Sequence, residues 1–309
     1  MKPTIFYADS SFSADGLFSE QDRQVSISID NLNLADTTPY RVFVESECPE
    51  VRDLVQGVID NHRFYDVILA WHERILRECP NAVKFVSPSA PWCGEFAAGT
   101  VSYRQGMQNT FHVVDQSAVN KPFEVSYLTS SKNWCPGHAL RQQIFDTLPS
   151  ALGTLKVNKH RSPPRLSGAE RTATFQAQYH IAVENAQWNN YFTEKILDCF
   201  LMRTMPLYWG CPNLGEYFNL DGIMQFDTVD SLVLLLKNLT TGHYQAHRQA
   251  VEENYKRALE YTDYFSRVDS AIRKATQNES PYNGSDGPRR LIFSRTLAGQ
   301  RLRGARGRS

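Results

Sequence analysis

Nothing in this 309-residue sequence sets up a net electrostatic field, since Lys+Arg and Asp+Glu both number 33. That balance offers nucleic acid no surface to be drawn to by overall charge. The six cysteines, at 48, 79, 93, 135, 199 and 211, include no pair at C-x-x-C spacing. The spacing argues against a zinc site and a disulfide scaffold, and for reduced structural thiols in a cytosol-like compartment; a long-range pairing stays open. No window approaches the ~18 apolar residues of a membrane span. The start, MKPTIFYADSSF, lacks the apolar core of a signal peptide, so a cytoplasmic protein, at most peripheral to a membrane, is expected. Asp-x-Asp is absent, as are the Walker A, G-x-G-x-x-G, G-x-S-x-G and H-E-x-x-H patterns. Asp-x-Asp would hold a divalent metal against a diphosphate, so phosphate charge is expected to be met by Arg, Lys and a helix end instead. The eight histidines show no ligand spacing and read as structural or surface residues.

What is present is an alternation of strands and helices. PTIFYA (3–8), QVSISI (24–29) and YRVFVES (40–46) read as strands, and a helix is predicted through 50–60. YDVILAW (65–71) is a continuous apolar run of the kind found in fully buried strands; HERILREC (72–79) reads as a helix and AVKFVSP (82–88) as a strand. This order predicts a parallel sheet with flanking helices. A second α/β series begins near 120–122 with the strand FEVSYLTS (123–130) and the helix ALRQQIFDTL (139–148). A polar loop is predicted over 156–174, a strand at GIMQFD (222–227), a helix over 229–239 capped by Asp227 or Thr228, and one long charged helix over 245–276. The expected domains are therefore 1–120, 121–277 and a basic, disordered tail over 278–309, with two α/β halves facing each other across a cleft.

The most informative stretch is 178–210, QYHIAVENAQWNNYFTEKILDCFLMRTMPLYWG, which reads as strand, loop, helix, strand. Open α/β sheets bind ligands at the carboxyl ends of their strands, where this loop lies. Thr193 is a good N-cap, and Glu194 and Lys195 occupy the first helical turn. Free N–H groups and a positive partial charge suit such a helix start to phosphate. Lys195 opposes the helix dipole there unless an anion offsets it. Glu194 is suited to ribose hydroxyls, Asn185 to a phosphate or sugar oxygen, and Tyr191 to stacking on or bonding to the ligand. The plain alternative is a capped helix with a salt-bridged surface pair. Arg141, in SSKNWCPGHALRQQIF, can grip phosphate bidentately, or can be a solvated helix arginine. Glu45 and Glu47, in FVESECPE, follow a predicted strand. Either can serve as general base, with mutual repulsion raising one pKa, or both can be solvated loop carboxylates.

On these residues the chain resembles glycosyltransferase family 10, the α-1,3/α-1,4-fucosyltransferases. VENAQWNNYFTEKILDCFLMRTMPLYWG is similar to the family's donor-site signature, although Val183 stands where Phe is usual and Ala186 where Ser or Thr is usual. LRQQIFDTL with Arg141, and VFVESECP with YDVILAW, are the second and third matches, and the resemblance covers about residues 40–240. It implies the GT-B architecture, with two Rossmann-like domains, the C-terminal one binding GDP-fucose and the N-terminal one a glycan acceptor. It places Arg141 and Lys195 on the diphosphate, and Asn185, Tyr191 and Glu194 on the donor. It places Glu45 as the base, with Glu47 second. It implies inverting, metal-independent transfer with no cofactor beyond the donor substrate.

Three other expectations stand beside this one. They are transfer from another GDP- or UDP-sugar, an inactive nucleotide- or carbohydrate-binding protein, and a nucleic-acid binder acting through the Arg-rich tail. The last lacks interleaved aromatics apart from Phe293. The tail is further expected to touch anionic membrane peripherally. The sequence leaves oligomeric state and acceptor identity open.

Overall fold

The computed structural model describes residues 4–7, 24–37, 40–87, 91–96, 111–112, 120–161, 166, 168–276 and 290–295. In chain order the elements begin with β1 (Thr4–Tyr7), β2 (Gln24–Ile29), β3 (Tyr40–Val44), α1 (Val55–Asp60), β4 (Val67–Ala70), α2 (Glu73–Glu78) and β5 (Ala82–Lys84). Two short antiparallel strands, β6 (Glu95–Phe96) and β7 (Phe111–His112), come next. The second series runs β8 (Glu124–Thr129), α3 (Pro136–Thr147), β9 (Ala151–Leu152), β10 (Leu155–Arg161), α4 (Gly168–Ala173), β11 (Tyr179–Val183), α5 (Glu194–Leu201) and β12 (Met205–Trp209). It ends with β13 (Met224–Gln225), α6 (Val229–Asn238), α7 (His243–Ala246), α8 (Arg248–Ala258), α9 (Tyr264–Thr276) and β14 (Arg290–Arg295).

The chain folds as two compact units, one of residues 1–85 with 268–309 and the other of 86–267. Both are α/β with parallel sheets, as expected. The boundary falls at 85–86 and not near 120, and the C-terminal residues join the first unit. The reason is visible at residues 92 and 93. Their N–H groups donate to the Asp198 carboxylate at 2.8 and 3.1 Å, and Cys93 packs in the same core as Ile196 and Phe200.

The first unit carries a six-stranded sheet in the order β1-β14-β2-β3-β4-β5, parallel throughout. Part of the supposedly disordered tail is thus an interior strand, built on the apolar run Leu291–Phe293 between arginines. Residues 278–289 and 296–309 of that expected tail lie outside the described residues. Phe43, Ile68 and Ala70 pack against Val55 and Val58 of α1 and Ile75 of α2.

The second unit's sheet has the order β13-β12-β11-β8-β10-β9, parallel except for β9 against β10. β11 alternates faces with period two. Tyr179, Ile181 and Val183 enter the core with α3 and α6, and Ala182 enters the opposite core with α5. The predicted loop 156–174 is mistaken, because LKVNKHR forms β10 and Gly168–Ala173 forms α4. Only Leu155 and Val157 of β10 are fully buried, so its polar pattern hid a strand. Thr228 caps α6 with Ser231 in a capping box. The long helix expected over 245–276 is broken by a turn at Leu259–Tyr261, where Tyr261 tucks its ring against Phe192 and Phe218. Among the described residues no helix is long and apolar enough to cross a membrane. All six cysteines are buried free thiols.

One buried ion pair ties three segments of the second unit together. Arg171 Nε on α4 meets Asp198 Oδ2 on α5 at 2.6 Å, while Oδ1 accepts the two N–H groups near residue 92. Burial opposes the Arg171 charge, but Asp198 more than offsets this and raises its pKa. Arg171→Ala would leave Asp198 buried without its cation. Urea unfolding followed by tryptophan fluorescence should show a loss of about 3–5 kcal/mol, the usual cost of breaking a buried pair. A loss below about 1 kcal/mol would mean the pair does not hold these segments.

Candidate active site

In the second sheet the chain moves from β8 outward to β10, then returns to the other side of β8 to place β11. The strand order therefore reverses between β8 and β11, and ligands of open α/β sheets bind in the crevice beyond such a switch point. The carboxyl ends of these two strands are Thr129 and Val183. The loops that follow carry the residues singled out in the sequence.

Arg141 is buried and is not a solvated helix arginine. Its Nε donates to the Val183 carbonyl at 2.9 Å and its Nη2 to Asn185 Oδ1 at 2.8 Å, so Arg141 and Asn185 are brought together. Among the described residues Arg141 Nη1 has no hydrogen-bond partner. Tyr127 Oη donates to the Arg141 carbonyl at 2.8 Å and steadies this turn of α3. The first turn of α3 lies directly on the loop after β11. Gly137 N–H donates to the Asn185 carbonyl at 2.9 Å, and a Cβ at Gly137 would sit 1.8 Å from the Glu184 carbonyl oxygen. Only glycine fits that approach.

Thr193 is the N-cap of α5, as the sequence predicts. What holds it was not foreseen. Glu184, at 0% exposure, accepts from Thr193 N–H at 2.9 Å on Oε1 and from Thr193 Oγ1–H at 2.7 Å on Oε2. Lys195 Nζ lies 2.9 Å from Thr193 Oγ1, 3.2 Å from Glu194 Oε1 and 3.4 Å from Glu184 Oε2. The cation that opposes the helix dipole is thus compensated by two carboxylates. Burial disfavours the Glu194 charge, but Lys195, Arg171 and hydrogen bonds from Lys195 and Thr193 outweigh it and hold the carboxyl down at about 2. A Cβ at Gly210, after β12, would come within 2.6 Å of Glu184 Cγ, so the strand end beside Glu184 also needs glycine.

Tyr191 departs from expectation. At 1% exposure it is one of the largest fully buried side chains, and its ring presents no face for stacking. Its loop is pinned instead by Asn190, in the left-handed region at φ 66°. Asn190 N–H donates to Asn213 Oδ1 at 2.7 Å, and its Oδ1 accepts from Asn213 Nδ2 at 3.0 Å and Tyr217 Oη at 2.5 Å.

In the first unit Glu45 follows β3 and is buried. Its Oε2 accepts from the N–H groups of Trp71 and His72, at 3.1 and 2.9 Å, just beyond β4. Burial raises its pKa to about 8; the two N–H bonds oppose the rise and the Asp30 charge adds to it. The neighbouring charge that adds to the rise is Asp30, which also holds the turn after Glu45. Asp30 Oδ1 accepts the Ser46 and Glu47 N–H groups at 2.7 and 3.1 Å. A carboxyl tuned close to neutral pH is suited to general acid–base work. Among the described residues no three His, Cys, Asp or Glu side chains gather as a metal-ligand set.

The geometry defines an α/β protein with a cationic, glycine-lined site at the switch point of one parallel sheet and a buried, proton-holding carboxyl at a strand end of the other. No family model matches the chain. Over 131 residues, 40% of its length, it is 29% identical to an alpha-(1,3)-fucosyltransferase of Helicobacter pylori, and over that stretch the two are relatives. The chain spans 26% of that relative's length. Among solved structures it is similar to an alpha1,3-fucosyltransferase with GDP (TM-score 0.48, 16% identity, covering 88% of this chain and 96% of that one). It is also similar to the Anabaena protein HepE with UDP-glucose (TM-score 0.48, 9% identity, covering 77% and 72%).

Two tests follow from the geometry. Gly137→Ala should destabilise the second unit by about 1–3 kcal/mol, the usual cost of overpacking, read as a lower urea midpoint at unchanged m-value; a midpoint equal to wild type would refute the close approach. Glu45 gives a pH signature. An unfolded glutamate loses its proton near 4.5, the folded one near 8, so the folded state holds the extra proton between those values. Stability should therefore fall, by a few kcal/mol, as pH rises through that window. Glu45→Gln should flatten the slope, and an unaltered slope would show that another group causes it.

Proposed function

We propose that the protein is an inverting glycosyltransferase of the fucosyltransferase type, moving fucose from GDP-fucose to a glycan hydroxyl without a metal ion. The observation that carries this reading is the convergence of Arg141, Asn185, Glu194 and Lys195 at the sheet's switch point. The relative named above supports the reaction class.

In this mechanism the diphosphate lies at the start of α5. Arg141 offers its guanidinium, already oriented by Val183 and Asn185, and Lys195 supplies a second positive charge. These groups and the helix N-terminus stabilise the charge that grows on departing GDP. Because Glu184 and Glu194 hold Lys195 in place beforehand, little reorganisation is left for the moment of reaction. Glu194, ionised at neutral pH, accepts hydrogen bonds from ribose hydroxyls. Glu45 takes the proton from the acceptor hydroxyl as that oxygen attacks the anomeric carbon opposite the diphosphate, through an oxocarbenium-like transition state. With its pKa near 8, Glu45 is half ionised at mildly alkaline pH. The acidic limb of the kcat/KM profile should therefore lie near that pH.

Nucleotide release from GDP-fucose, GDP-mannose, UDP-galactose and UDP-GlcNAc, with N-acetyllactosamine as acceptor and EDTA present, tests the reading. Acceptor-dependent GDP release from GDP-fucose alone is expected. Lys195→Ala should slow it by about 10²–10³-fold, the scale of one lost transition-state donor, and Glu45→Gln should abolish it. GDP binding with no turnover in any combination would favour a binding protein, and release from a UDP-sugar alone would replace the donor.

A further inference from the structure

His138 lies in the first turn of α3, one turn before Arg141, so the two side chains share a helix face. This turn abuts the loop after β11 through Gly137. The imidazole is 4% exposed. Its Nδ1 lies 3.0 Å from the Cys135 Sγ, and the Trp134 ring, 62% exposed, meets it edge-on at 5.4 Å. Among the described residues Nε2 has no hydrogen-bond partner.

The charged groups facing this ring are all cations. Burial, and after it Arg141 on α3, Lys132 in the preceding loop and Lys195 on α5, push its pKa down to about 3. Burial likewise raises the Cys135 thiol. At neutral pH the imidazole is therefore uncharged, and with the Cys135 thiol as donor to Nδ1 the ring proton sits on Nε2. A site that brings Arg141 and Lys195 to phosphate gains a further donor here without another buried positive charge.

We propose that His138 is an additional residue of the donor site: with Nδ1 taken by the Cys135 thiol, its Nε2–H donates a hydrogen bond to a diphosphate oxygen of the nucleotide sugar. The inference rests on the donor-site reading above. Cys135 acts through His138 as a positioning residue that fixes the tautomer.

Imidazole ¹⁵N spectroscopy on the intact protein tests it directly. His138 should stay in the Nε2–H tautomer without titrating through neutral pH, and GDP should shift its Nε2 resonance while guanosine does not. By calorimetry, His138→Phe should weaken GDP about tenfold, equivalent to about 1.4 kcal/mol. His138→Gln, which keeps an N–H donor, should stay within about threefold of wild type on the same scale. An unmoved Nε2 resonance in protein that binds GDP overturns the role of His138 and leaves the donor site standing, and it does so even if the phenylalanine variant fails to fold. Equal weakening of guanosine and GDP also overturns it. Wild-type protein that binds neither GDP nor UDP overturns the donor-site reading and this inference together.

Discussion

The second unit is organised around the carboxylate of Glu184. Placed one residue beyond β11 and removed from water, it needs several hydrogen bonds, and the start of α5 supplies them through the Thr193 N–H, the Thr193 hydroxyl and the Lys195 amine. A buried carboxylate without such partners is too costly to keep charged. The same constraint reaches sideways, since its backbone carbonyl requires glycine at 137, and its side chain together with the Tyr208 ring requires glycine at 210. Strand end, helix start and two neighbouring loops are thereby held in one arrangement.

That arrangement makes the site cationic yet rigid. Lys195 and Arg141 are already oriented by acceptors of the protein. Beneath them the Arg171–Asp198 pair carries the network inward, and Arg171 also favours the charge on Glu194. The first unit places a carboxylate in the opposite regime. Glu45 has two backbone N–H partners, but burial outweighs them with the Asp30 charge adding to it, and the proton is retained. Glu194 and Glu45 are the same residue type with pKa values pushed apart by their surroundings.

Much of the fold was legible in the sequence. QVSISI spans β2 to the residue, and the apolar run YDVILAW contains β4, because buried parallel strands are continuously apolar. The misreadings have two causes, composition and long-range contact. In β10 only two residues of LKVNKHR point into the core, so a polar count concealed a strand. Counting arginines in the tail obscured the apolar run that joins the sheet as β14. The domain boundary was misplaced because the bonds that decide it link residues 92 and 93 to Asp198, more than a hundred positions later.

The sequence by itself determined the residue types of the site and their local roles: Thr193 as a cap, Glu194 and Lys195 in the first turn, Arg141 on a helix after a strand. Those follow from relations over three or four residues, which any chain with this sequence carries. Only the tertiary structure decided that Arg141 meets Asn185 across 44 positions, that Tyr191 is buried, that Asp30 acts on Glu45, and that His138 stands among three cations. Burial and charge pairing of this kind arise when distant segments close on one another. They set pKa values and orientation through desolvation and long-range contacts that a local pattern does not encode.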